Sequence, residues 1–227
     1  MSTVRIDNRF AGPPGTANGG VTAGLLSAAT GVAEAEVTLR RPPPLDVDLH
    51  VTGQCLATDS GDVVAELTPA QVKVEPIPAP PVELARTASA AYAGLTLHPF
   101  PGCFVCGVDR PAPDGLGVRP GPIAPDVVAG TWTPREPGRF LVWAALDCPG
   151  GWSADQPGRP MVLGRIAARI NREPELGEEC VVAGWLLGQA GRKTEAGSAV
   201  YSLDGSVLAV ARATWISVEV SQVGRQG

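Results

Sequence analysis

The stretch Leu141-Val142-Trp143-Ala144-Ala145-Leu146-Asp147-Cys148-Pro149-Gly150-Gly151-Trp152 decides how this chain is read, because an apolar run carries a single carboxylate and then meets residues that interrupt helices. From Phe140 to Leu146 every position is apolar, which predicts a helix buried on most sides rather than one lying half in water. Asp147 ends that run. Pro149-Gly150-Gly151 predicts a stop, so Asp147 is expected near the helix's C-terminal end, where the macrodipole disfavours negative charge. Burial and dipole would both raise its pKa, and a carboxylate in so costly a place is a candidate for acid/base work. The competing reading makes Asp147 a cap or turn residue whose carboxylate accepts from backbone N–H groups.

Around this helix the second half reads as a strand at Val127–Thr133, a loop at Ser153–Pro160, and strands near Val162–Asn171, Cys180–Leu187, Ala196–Ser202 and Val207–Val218. The first half has the same order. A strand at Val4–Phe10 and a turn at Ala11–Gly15 precede a helix over Asn18–Val32, capped by Thr16 or Asn18. Gly19 and Gly20 lie in its first turn, where missing side chains expose N–H groups. Strands then cover Ala35–Leu39, Val47–Val51 and Val63–Leu67, with Ala70–Val74 able to extend the sheet. Two internal matches support the parallel. Leu39–Val51 lies over Ile170–Val182 at an offset of 131, and Ser60–Ala65 over Asp204–Ala209 at 144. Residues 1–75 and 123–227 thus read as two copies of one unit, joined by a segment, 76–122, that holds the proline-rich Pro76–Pro81 and a connecting helix over Val82–Leu95.

Bulk properties narrow the function. A net charge of −5 and no Lys/Arg run leave no footprint for nucleic acid, and nothing approaches the apolar length of a membrane span. With no signal-peptide pattern at the start, a soluble cytoplasmic protein is expected. Five cysteines, an odd number, argue against a disulfide framework.

One buried helix wrapped by a curved antiparallel sheet, an α+β arrangement, is the hotdog fold, and Asn18-Gly19-Gly20 is similar to the signature at the start of its central helix. Two tandem copies resemble the double-hotdog acyl-CoA thioesterases of fatty-acid metabolism. The resemblance implies hydrolysis of acyl-CoA or another acyl thioester without a cofactor, an acyl tunnel, and self-association through the sheets. In the medium-chain thioesterase II group, the second helix carries an Asp roughly nine residues beyond its start, with Thr and Gln from nearby strands holding a water. Asp147, nine residues after Gly138, matches the Asp; Thr214 and Gln189 match the partners by type only. N–H groups of Gly19 and Gly20, with Asn18, would polarise the carbonyl. Another register, laying Gly150-Gly151 over Gly19-Gly20, would put Asp147 before the helix.

Two further motifs have open readings. Gly191-Arg192-Lys193 is either a contact for coenzyme A phosphates or a solvated hairpin turn. Cys103-x-x-Cys106-Gly107 has the shape of a zinc knuckle, with His98 as a third ligand and Cys148 as a further one, or else a pair of packed thiols; redox activity is disfavoured because no helix opens there. Against hydrolysis stand a non-catalytic acyl or lipid binding protein, and a hydratase or dehydratase, for which the chain offers only His50 and His98.

Overall fold

The computed structural model describes residues 2–110 and 114–219. Strand β1 (Ser2–Arg5) is shorter than the sequence predicts, because the Asp7 carboxylate accepts the Arg9 N–H and turns Asn8–Phe10 into a single 3-10 turn. Asn18, extended in backbone, then starts helix α1 (Gly19–Thr30) by accepting the Val21 N–H on Oδ1 at 2.9 Å. Gly31, at φ 70°, ends it in the left-handed region where a side chain would be strained. Strands β2 (Glu34–Leu39), β3 (Asp48–Thr52), β4 (Cys55–Ala57) and β5 (Val63–Pro69) follow. Ala70–Val74 does not extend the sheet, since the Val72 N–H donates to the Glu34 side-chain carboxylate and not to a backbone carbonyl of β2.

Helix α2 (Val82–Ala90) stops before Leu95, and Ala93–Leu95 forms a separate 3-10 turn. The segment after it is no passive linker. The Phe104 N–H donates to Ala11 O at 2.7 Å, Val118 N–H donates to Val105 O at 2.9 Å, and Phe104, Val105 and Val118 are buried in the main core. Strands β6 (Gly121–Ala124) and β7 (Val127–Trp132) lead into helix α3 (Arg139–Trp152), and β8 (Met161–Ile170), β9 (Cys180–Ala190), β10 (Lys193–Tyr201) and β11 (Val207–Ser217) complete the sheet.

Helix α3 corrects the expected stop at Pro149-Gly150-Gly151: it runs through all three residues to Trp152. The reason is tertiary. A Cβ on Gly184 of β9 would meet Pro149 O at 2.2 Å, and Cβ atoms on Gly150 and Gly151 would each meet the Trp215 ring at 3.1 Å. Small residues let the last turn lie flat on the sheet, and that packing outweighs their poor helix propensity. Asp147 therefore sits inside the helix, and Gly150-Gly151 form its end rather than its beginning.

The eleven strands among the described residues all pair antiparallel, in the order β1-β3-β4-β5-β2-β8-β11-β10-β9-β7-β6. About the β2–β8 junction, where Val37 faces Ile166, the order reads alike in both directions until β6. Both internal sequence matches fall on equivalent places. Arg40 and Arg41 N–H groups donate to Val64 O, and Asn171 and Arg172 N–H groups donate to Leu208 O. Helices α1 and α3 pack together in the main core, where fully buried leucines such as Leu26 and Leu146 each contribute roughly 1.5–3 kcal/mol. Helix α2 covers the other face of β7 and β9, its Ala85 buried in one cluster with Ala129, Val181 and Trp185 of the sheet. No helix among the described residues is long and apolar enough to cross a membrane.

Candidate active site

Helices α1 and α3 touch through glycine. A Cβ on Gly20 would lie 2.7 Å from Asp147 Cβ and 2.7 Å from Trp143 O, and one on Gly24 would lie 2.6 Å from Phe140 Cα. This close approach, one turn apart on α1, brings the helix N-terminus onto the middle of α3. Asp147, 2 % exposed, accepts on Oδ2 from the Gly20 N–H and from Asn18 Nδ2, each at 3.0 Å. Its Oδ1 is buried without a partner. The dipole acting here is the positive end of α1, the reverse of the expected effect of α3's own C-terminus. Burial pushes the carboxyl up to about 7, against the lowering by Gly20 and Asn18 and with a further push from nearby Cys103. The outcome is a carboxylate poised between protonation states, held by one oxygen and free on the other.

Asp147 lines a cavity of about 520 Å³, in the size range of small-molecule sites. Asn18 and Gly19 share its wall with apolar Leu163, Met161, Trp152 and Trp215. Because the Gly20 N–H is taken by Asp147, Gly19 is the expected glycine whose N–H has no partner among the described residues. Arg192 stands on the cavity wall and donates to Ser217 O, whereas Lys193 is exposed at the start of β10 and does not line the cavity. Gln189 and Thr214 do not reach the site. Gln189 is exposed, and Thr214, next to inward-facing Trp215, points to the opposite face and donates to Glu195 Oε1 at 2.7 Å.

Three polar or charged side chains on the cavity wall, Gln156, Arg40 and Arg41, carry no site signal in the sequence. Gln156 is 5 % exposed, donates through Nε2 to Met161 O at 2.9 Å, and keeps Oε1 buried without a partner. It lies in the loop after α3, where no periodicity marks which side chain turns inward. Arg40 and Arg41 reach the cavity from the end of β2, where they also pair with Glu66 and Asp62.

The cysteines converge beside Asp147. The sulfurs of Cys103, Cys106 and Cys148 all lie within 4.8 Å of one another, buried, and form the one group among the described residues able to hold a metal. Thiol hydrogen bonds from Cys106 and Cys148 pull Cys103 down, while burial pushes Cys106 up and the bond to Cys103 pushes Cys148 up. His98 is on the cavity wall but outside this group. Its Nδ1 accepts the Phe100 N–H at 2.9 Å and its Nε2 contacts Cys106 O at 3.2 Å, so both nitrogens are occupied. His50 lies elsewhere, paired with exposed Asp59.

No protein-family model matches the chain, and no curated protein matches it in sequence. Solved structures do match. A proposed thioesterase from Novosphingobium aromaticivorans superimposes with a TM-score of 0.64 at 13% identity, over 96% of this chain and 95% of that one. A conserved protein of unknown function with a hotdog fold from Alicyclobacillus acidocaldarius gives 0.60 at 13% identity, covering 96% and 92%. A proposed thioesterase II from Thermobifida fusca gives the same values. At this identity the likeness shows the fold, which is hotdog.

Proposed function

We propose that the chain is an acyl-thioester hydrolase, acting on acyl-CoA in the cytoplasm, built from two tandem hotdog units. The repeat reading is supported by the mirrored strand order and by the Arg40/Asn171 equivalence. The observation that carries the activity is Asp147: a buried carboxylate on the wall of a largely apolar cavity, pinned through Oδ2 by the opposite helix and unpartnered at Oδ1. In the reaction, Oδ1 orients a water and takes its proton as the oxygen attacks the thioester carbonyl. The Gly19 N–H, at the positive end of α1, meets the developing oxyanion. Collapse breaks the C–S bond, and the proton passes to the departing thiolate, leaving acid and thiol. Gln156 Oε1 offers a second acceptor for the water.

The cavity's apolar wall suits an acyl chain, and Arg40, Arg41 and Arg192 on it suit coenzyme A phosphates. Copies of the chain would associate through their sheets. His98 does not favour a hydratase, since neither ring nitrogen is free for proton transfer. The test is a chain-length panel of acyl-CoAs with the Asp147→Asn variant. Turnover by the unmodified protein should fall by about 10²–10⁴-fold in the variant while binding of a non-hydrolysable analogue persists. Binding without turnover by the unmodified protein would mark an acyl-binding protein instead.

A further inference from the structure

We propose that Cys103, Cys106 and Cys148 bind one zinc ion in the cavity wall, with the fourth coordination position open to the cavity. Three soft ligands from two separate parts of the chain meet here, two from the loop after α2 and one from α3. The Cys103 and Cys148 sulfurs are 3.9 Å apart, and a tetrahedral zinc with Zn–S bonds of 2.3 Å needs sulfurs about 3.8 Å apart. The loop is shaped for this. The Gly107 N–H donates to Cys103 O at 2.8 Å and closes the turn around the pair, and a Cβ at Gly107 would meet the oxygens of Cys103 and Pro101 at 2.4 Å. Only glycine fits there.

His98, the ligand its sequence position suggests, is held by Phe100 and Cys106 backbone groups, and Cys148 takes the third place. Three protein ligands leave zinc one position short of tetrahedral. All three cysteines line the cavity, so that position belongs to water or to a thiol entering from the cavity. Binding releases the three thiol protons to solvent. The site is independent of the thioester reading, because it is tested by metal content and spectrum rather than by turnover.

The test uses the full chain expressed with zinc present. Metal analysis should find about one zinc per chain, and a mercurial should release it as three thiols are titrated. Cobalt exchanged for zinc should show the visible bands of a tetrahedral site and thiolate charge-transfer absorption, and added 2-mercaptoethanol should shift them. Cys103→Ser and Cys148→Ser should each lower metal content at least about tenfold, while Cys55→Ser leaves it unchanged. Folded, unmodified protein that takes up neither metal, or that carries a disulfide among these three residues, would overturn the site. A cobalt spectrum indifferent to added thiol would overturn the open position.

Discussion

Helices α1 and α3 occupy mirrored places in the sheet, yet their N-termini are put to opposite uses. Helix α1 begins with a capping Asn18 and sends the Gly20 N–H to Asp147. Helix α3 begins at Gly138, which caps with no side chain, and Phe140 follows it, packed against Phe10 at 5.6 Å between ring centroids. Nine residues past each cap stand Ser27 and Asp147. Ser27 donates to Val32 O at 2.7 Å and finishes a local turn, while Asp147 reaches across to the other helix. On the proposed repeat reading, two such sites would be possible. Phe140 plugs the contact at Gly24, and donors and carboxylate meet at the other.

Replacing the contact glycines tests this division most severely. Gly20→Ala and Gly24→Ala both press a methyl into the backbone or near-backbone atoms of α3, and each should cost about 1–3 kcal/mol of unfolding free energy by denaturant titration. They should differ in turnover. Gly20→Ala displaces Asp147 and should abolish hydrolysis, whereas Gly24→Ala, which strikes Phe140 on the plugged side, should retain it per folded molecule. Equal losses would show that the two ends are not functionally distinct.

Asn18→Ala removes a cap and a donor together, so a stability loss of about 1 kcal/mol should accompany reduced turnover. Its counterpart Ser27→Ala should cost about 1 kcal/mol with turnover unchanged. The smallest effect is expected at the β10–β11 hairpin. Asp204, held down to about 2 by Ser202 and Ser206, stabilises the fold above the ordinary carboxylate range and loses that contribution as pH falls through about 2. Asp204→Asn should therefore lower the melting temperature slightly at pH 6 and not at pH 2.

Much of the architecture was legible because burial leaves periodic traces. The buried α3, the cap at Asn18 and both sequence offsets follow from residue type and spacing alone. What failed was local propensity against tertiary contact: Pro149-Gly150-Gly151 reads as a stop, and only Gly184 and Trp215 on distant strands explain its helicity. Strands β4 and β6, of three and four residues, are too short to show alternation. Gln189 and Thr214 match the partners by type only, and the alternation that turns Trp215 inward already turns Thr214 out. Gln156 sits in a loop, where sequence carries no facing information.

The central claim is that α1 and α3 build one catalytic unit, and a double-mutant cycle reads it directly. Asn18→Ala, Asp147→Asn and the double variant are compared by kcat/KM on one acyl-CoA. If Asn18 acts by holding the Asp147 carboxylate, the double variant should be no slower than Asp147→Asn alone. A double variant slowed by the product of the two single effects would contradict the account, because the two residues would then act separately.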